Sequence, residues 1–73
     1  MTTVLKHYNN EKYYVSMDLT FRYDSPVLEV TMAEIVGGIL TYPERKMSYP
    51  YSELKKATAT YNRYVREVKK KDA

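Results

Sequence analysis

Seventy-three residues without a cysteine make one domain, with a small core and no disulfide to reinforce it. The net charge is +3 and it is sorted along the chain: residues 1–40 set Lys6, Lys12 and Arg22 against Glu11, Asp18, Asp24, Glu29 and Glu34, a net of −2, and residues 41–73 carry +5. No apolar run approaches the roughly 20 residues of a membrane span, so the composition excludes a spanning helix and makes the basic half a candidate for an anionic partner, nucleic acid or an acidic protein surface.

Met1–Tyr8 lacks the basic-then-apolar signature of a signal peptide. Together with the absence of cysteine, this predicts a complete chain in the reducing cytoplasm. Nine tyrosines, one phenylalanine and no tryptophan are an unusual aromatic set. Tyrosine buries its ring while the hydroxyl reaches water or a partner, so these residues serve a wet core edge or an interface.

In chain order, Thr2–Tyr8 reads as a weak strand. Asn9 and Asn10 tolerate the positive φ of a tight hairpin turn. With those two as the loop, Tyr8 faces Glu11, Lys6 faces Tyr13 and Val4 faces Val15. Val4 and Tyr8 then lie on the apolar face, and Leu5 and His7 on the other. A four-residue loop through Lys12 keeps the faces and shifts the register.

The clearest local signal follows. Tyr13, Val15, Met17, Leu19, Phe21 and Tyr23 alternate with Lys12, Tyr14, Ser16, Asp18, Thr20 and Arg22. Period two puts one apolar and one polar face on a long strand. Asp24-Ser25-Pro26 stops it. Either Ser25 caps a helix with Pro26 in its first turn, or Val27–Val30 is a third short strand with a helix after it. The second is preferred, because valine and leucine favour strand there and Thr31–Glu34 fits a capping box. The helix is then expected from Met32 to about Leu40, with Ile35, Val36, Ile39 and Leu40 inward and weakened by Gly37-Gly38.

Thr41–Tyr51, with Pro43 and Pro50, reads as a long connecting loop. Ser52 is the expected cap of a last helix from Glu53 to about Lys70. Its inward stripe is Leu54, Ala57, Tyr61, Tyr64, Val65 and Val68. The fold class expected is α+β: an N-terminal antiparallel hairpin, with or without a third strand, packed on a short helix and a long C-terminal amphipathic helix.

Catalytic constellations are missing from the sequence. His7 is a single histidine with no motif around it, the serines lack a nucleophile elbow, and no acids or histidines stand at metal-ligand spacing. Gly37-Gly38 has no phosphate-loop context. No enzyme activity, cofactor or metal is expected. Two binding surfaces compete. One is the Tyr- and Pro-rich loop with the hairpin edge: Tyr42, Arg45, Lys46, Tyr49 and Tyr51, joined by Lys6 and Tyr14. The other is the basic helix face, Lys55, Lys56, Arg63 and Arg66, set to meet phosphates. Stacking of bases on the sheet is weakened, because only Tyr14 stands on the face away from the helices.

As a whole the chain resembles the small, Cys-free, Tyr- and Lys-rich early proteins of bacterial viruses, from its Met1–Tyr8 opening to Lys69, Lys70 and Lys71. More narrowly it is similar to the small transcription regulators of lytic Xanthomonas phages. That resemblance implies binding to host RNA polymerase at the β′ subunit near its N-terminus. It also implies inhibition of promoter-dependent initiation through interference with sigma-factor engagement, and antitermination. It assigns no residue roles. The expected partner is therefore bacterial RNA polymerase, bound by a cytoplasmic, non-membrane monomer, with a small basic nucleic-acid-binding module as the alternative.

Overall fold

Four strands in the order β1-β2-β3-β4 make one antiparallel sheet: β1 (Thr2–Asn9), β2 (Tyr13–Arg22), β3 (Ser25–Val36) and β4 (Ile39–Pro50). A short 3₁₀ turn, Tyr51–Glu53, then leads into one helix, α1 (Leu54–Asp72). This computed structural model describes Thr2–Asp72; Met1 and Ala73 lie outside the described residues.

The architecture is α+β-like but overturns the expected hairpin with two helices. The third strand exists and is far longer than Val27–Val30. The helix expected over Met32–Leu40 is absent, and so is the loop over Thr41–Tyr51. Gly37 and Gly38 explain both differences. Their φ values of 61° and 79° make a two-residue turn between the paired residues Val36 and Ile39. Both central residues of such a primed turn need positive φ, which glycine adopts without penalty. The pair therefore closes a β3–β4 hairpin. Pro43 is accommodated because β4 is an edge strand, where a missing N–H costs no ladder bond. It pairs with Ala33 beside two register shifts, and at the second of these the Thr41 hydroxyl donates to the Glu34 carbonyl at 3.0 Å.

The β2–β3 connection is also a two-residue turn. Tyr23 and Asp24, at φ 52° and 64°, join the paired residues Arg22 and Ser25, so Pro26 lies inside β3 opposite Phe21. In the first hairpin neither Asn9 nor Asn10 takes positive φ. Asn10 works through its side chain instead. Its carboxamide oxygen accepts from the amides of Lys12 at 3.0 Å and Tyr13 at 2.8 Å, an Asx-type turn. Tyr8 consequently faces Val15, not Glu11. A shift at Leu5 puts Val4 opposite Asp18, so Val4 leaves the apolar face on which the sequence pattern placed it.

The expected apolar side of β2 faces the helix from Tyr13 to Leu19, but Phe21 is exposed and Tyr23 stands in the β2–β3 turn. Val15 and Met17 pack with Leu28, Val30 and Met32 of β3 under Ala57, Tyr61, Tyr64 and Val68 of α1, and Tyr8, Tyr13, Leu19, Tyr49 and Val65 border this core. Burying a side chain such as Leu28 is worth about 1.5–3 kcal/mol. The stripe of α1 is thus as its spacing predicts, except that Leu54 is exposed and Thr60 is buried. Ser52 caps nothing: it sits inside the 3₁₀ turn that Pro50 precedes. Asn10 ties the far end of the helix to the sheet by donating to the Val68 carbonyl at 3.4 Å.

Candidate binding surfaces

α1 crosses the sheet only as far as the β1–β2 turn. Beyond it, the end of the β3–β4 hairpin projects as a two-stranded arm, contributing to a molecule 38 Å long and 16 Å thick. Ile35–Pro43 contains no charged residue. The cross-strand pairs Val36–Ile39 and Ile35–Leu40 give each face of the ribbon an apolar pair. Val36 and Leu40 are exposed, Ile39 is 71% exposed and Tyr42 is 94% exposed. Leu40, Thr41, Tyr42 and Pro43 also line a shallow concavity. Sequence reasoning missed Val36, Ile39 and Leu40 as surface residues because it placed them inside a short helix. Gly-Gly between two β-branched runs was the signal that would have found them.

The proposed loop residues do not form one patch. Tyr42 belongs to the arm. Arg45 and Lys46 are neighbours in a strand and so leave on opposite faces. Arg45 turns to α1, where its guanidinium meets Glu67 at 2.9 Å and lies 5.8 Å from the Tyr64 ring centroid. Lys46 turns to the open sheet face, 3.7 Å from Glu29. Tyr49 is half-buried at the core edge, its hydroxyl sharing a 2.7 Å hydrogen bond with Thr60. Tyr51 is exposed in the 3₁₀ turn, at the opposite end of β4 from Tyr42. Lys6 is exposed on β1 opposite Met17, and Tyr14 lies on the open face, stacked on His7 with ring centroids 6.2 Å apart.

The open face carries a compact charge cluster. Asp18 and Glu29 are direct cross-strand partners, and Arg22 and Lys46 both pair with Glu29. Ser16 donates to Asp18 at 3.3 Å, while the other carboxylate oxygen is buried without a partner. Burial raises the Asp18 pKa above its ordinary value; the Ser16 bond lowers it, Glu29 raises it and Lys46 lowers it. His7 stacks on Tyr14, and among the described residues no three His, Cys, Asp or Glu side chains gather as metal ligands.

The basic groups of α1 divide by partner. Lys56 is tied to Glu53 at 2.6 Å, and Lys71 lies 3.9 Å from Glu44. Lys69 and Lys71 sit over the Tyr8 and Tyr13 rings, and Arg63 over Tyr64. Lys55, Arg66 and Lys70 are exposed and form no ion pair among the described residues. No helix among the described residues is long and apolar enough to cross a membrane.

No protein-family model matches the chain, and neither curated proteins nor solved structures give a significant match.

Proposed function

We propose that this protein is a non-enzymatic regulator that docks on a protein partner through the β3–β4 arm. The observation that carries this reading is the uncharged run Ile35–Pro43, held out past the helix with Val36, Ile39, Leu40 and Tyr42 in solvent. An unsupported two-stranded ribbon is marginal in water, and an apolar one is costly unless something covers it. Interfaces draw most of their energy from a few apolar and aromatic anchors, which Ile39, Leu40 and Tyr42 supply.

The partner we propose is bacterial RNA polymerase, as the resemblance to small phage regulators implies, with the contact on β′ near its N-terminus. Inhibition of initiation by interference with sigma-factor engagement, and antitermination, belong to the same proposal, as does action in the host cytoplasm.

The test uses purified bacterial RNA polymerase and nuclease-treated protein. Ile39→Ser with Tyr42→Ser should lower polymerase affinity at least tenfold and relieve inhibition of promoter-dependent transcription. Undiminished binding by that variant would reject the arm. Failure of the unaltered protein to bind polymerase would reject the partner.

A further inference from the structure

We propose that the outer face of α1 binds the sugar–phosphate backbone of nucleic acid, without reading sequence, at a surface separate from the β3–β4 arm. The helix holds seven of the twelve Lys and Arg residues of the chain. Many of these are occupied: Lys56 by Glu53, Lys71 by Glu44 and Tyr13, Lys69 by Tyr8, and Arg63 by Tyr64. Lys55, Arg66 and Lys70 are what remains, and they share one side of the helix. Eleven residues separate the first two, about three full turns, and four separate the last two, about one turn. Ala59 and Asn62 fall between them on the same side, both exposed. The stripe therefore contains cations, one amide and one small methyl group, but no acid and no large apolar side chain. Fifteen residues at about 1.5 Å each make it roughly 22 Å long, enough to follow several phosphates.

The composition of the stripe selects among anionic partners. A protein interface needs an apolar or aromatic centre and is depleted in lysine. The arm has such a centre, whereas this face offers only the methyl of Ala59. Phosphates need only cations and hydrogen-bond donors, and contacts of that kind position a protein on nucleic acid without specifying sequence. Elsewhere Arg22 and Lys46 are bound to Glu29 and Arg45 to Glu67, while Lys6 and Lys12 are exposed and without an ion pair among the described residues but stand off the helix, on β1 and in the β1–β2 turn.

Fluorescence anisotropy of the full chain tests this with two labelled probes, an oligo(dT) single strand and a DNA duplex of about 20 base pairs. About three phosphate contacts predict an affinity loss of roughly 20-fold to 40-fold between about 50 and 200 mM salt, the duplex at the steeper end. Lys55→Ala, Arg66→Ala and Lys70→Ala together should remove most of that binding and flatten its salt dependence. The charge-matched variant Lys6→Ala, Lys12→Ala and Lys46→Ala should retain it. Salt-dependent binding of either probe that is lost only in the stripe variant supports the proposal. Equal losses in both triple variants would reduce the effect to net charge and overturn it. So would absence of binding to both probes at low salt. A stripe variant that keeps nucleic-acid binding but loses polymerase would make the stripe an acidic-protein contact, also overturning it. The arm variant Ile39→Ser with Tyr42→Ser keeps the stripe, so its nucleic-acid binding should persist whether or not the polymerase reading stands.

Discussion

The two ends of strand β3 live in different worlds. Leu28, Val30 and Met32 lie under α1 with no exposed surface, while Val36, a few residues on, stands in solvent. Secondary structure, pairing with β4 and apolar character are the same along the strand. What changes is the cover, together with β2, whose pairing with β3 ends at Glu34. In a domain this small, one helix buries only part of the sheet, and the uncovered part of a long hairpin is free to keep apolar residues for another purpose. Stability is concentrated where the helix lies, and the exposed apolar surface proposed to dock a protein is concentrated where it does not.

Substitutions at the two ends should break this contrast most sharply if it is wrong. Leu28→Ala removes a fully buried side chain from the centre of the core and should cost about 2–5 kcal/mol, a large share of the stability of a small domain. Ile39→Ala removes an exposed one and should cost about 0.5 kcal/mol or less. Chemical denaturation measures both. Similar losses would show that the arm is part of the cooperative core.

Binding should show the reverse order. Ile39→Ser with Tyr42→Ser should reduce polymerase affinity at least tenfold while moving the thermal midpoint little. Arg45→Ala with Lys46→Ala breaks surface ion pairs to Glu67 and Glu29, each worth roughly 0–1 kcal/mol, and should weaken binding less than the arm variant does. Titration calorimetry against purified polymerase would rank the two. A larger loss from the Arg45 and Lys46 changes would move the docking surface off the arm and onto the middle of β4.

These contrasts also explain what was legible beforehand. The alternation from Tyr13 to Leu19 and the stripe Ala57, Tyr61, Tyr64, Val68 were plain, because each is one period maintained against one neighbour; the same alternation runs on to Phe21 and Tyr23, which the helix does not cover. The segment from Val27 to Tyr51 was not. Its local signals conflict: Thr31–Glu34 mimics a capping box, and Pro43 and Pro50 look like loop punctuation. Tertiary pairing overrides both, because β3 is held by β2 on one side and closed onto β4 by Gly37-Gly38 on the other. Once that segment was misread, the surface residues of the arm were assigned inward, and Tyr49, a core-edge residue, was assigned outward. The basic helix face, lying on a correctly placed helix, was legible from the start, but which cations are already paired is a matter of packing. Val4 was lost to a bulge that sequence does not mark.

The polar face away from the helix should respond weakly, and to pH. Asp18 has its pKa raised by burial, so its protonated form is favoured in the folded state. Its contribution to stability is present below the unfolded carboxylate range and is lost as pH rises through the raised value. Asp18→Asn should therefore raise the thermal midpoint at pH 7, with the gain shrinking on acidification to about pH 3. Thermal denaturation of both proteins across that range is the measurement. A gain that does not depend on pH would mean that the change acts through packing beside Ser16 and not through the charge.

The smallest effect expected lies in the two tight turns, which solve one geometric problem with different residues. Gly37 and Gly38 take positive φ freely, and nothing lies within 4 Å of a Cβ built at either, so only the backbone asks for glycine there. Gly38→Ala should consequently destabilise by about 1 kcal/mol through φ alone. Tyr23 adopts φ 52° with a bulky side chain that is 101% exposed and packs on nothing. A left-handed conformation costs an ordinary L-residue roughly 1–2 kcal/mol, and asparagine bears it better. Tyr23→Asn should recover about 0.5 kcal/mol, which in a domain of this size raises the midpoint by about 2–4 °C. A drop in the midpoint would show that the Tyr23 ring contributes to stability despite its exposure, and that the β2–β3 turn is not held by backbone geometry alone.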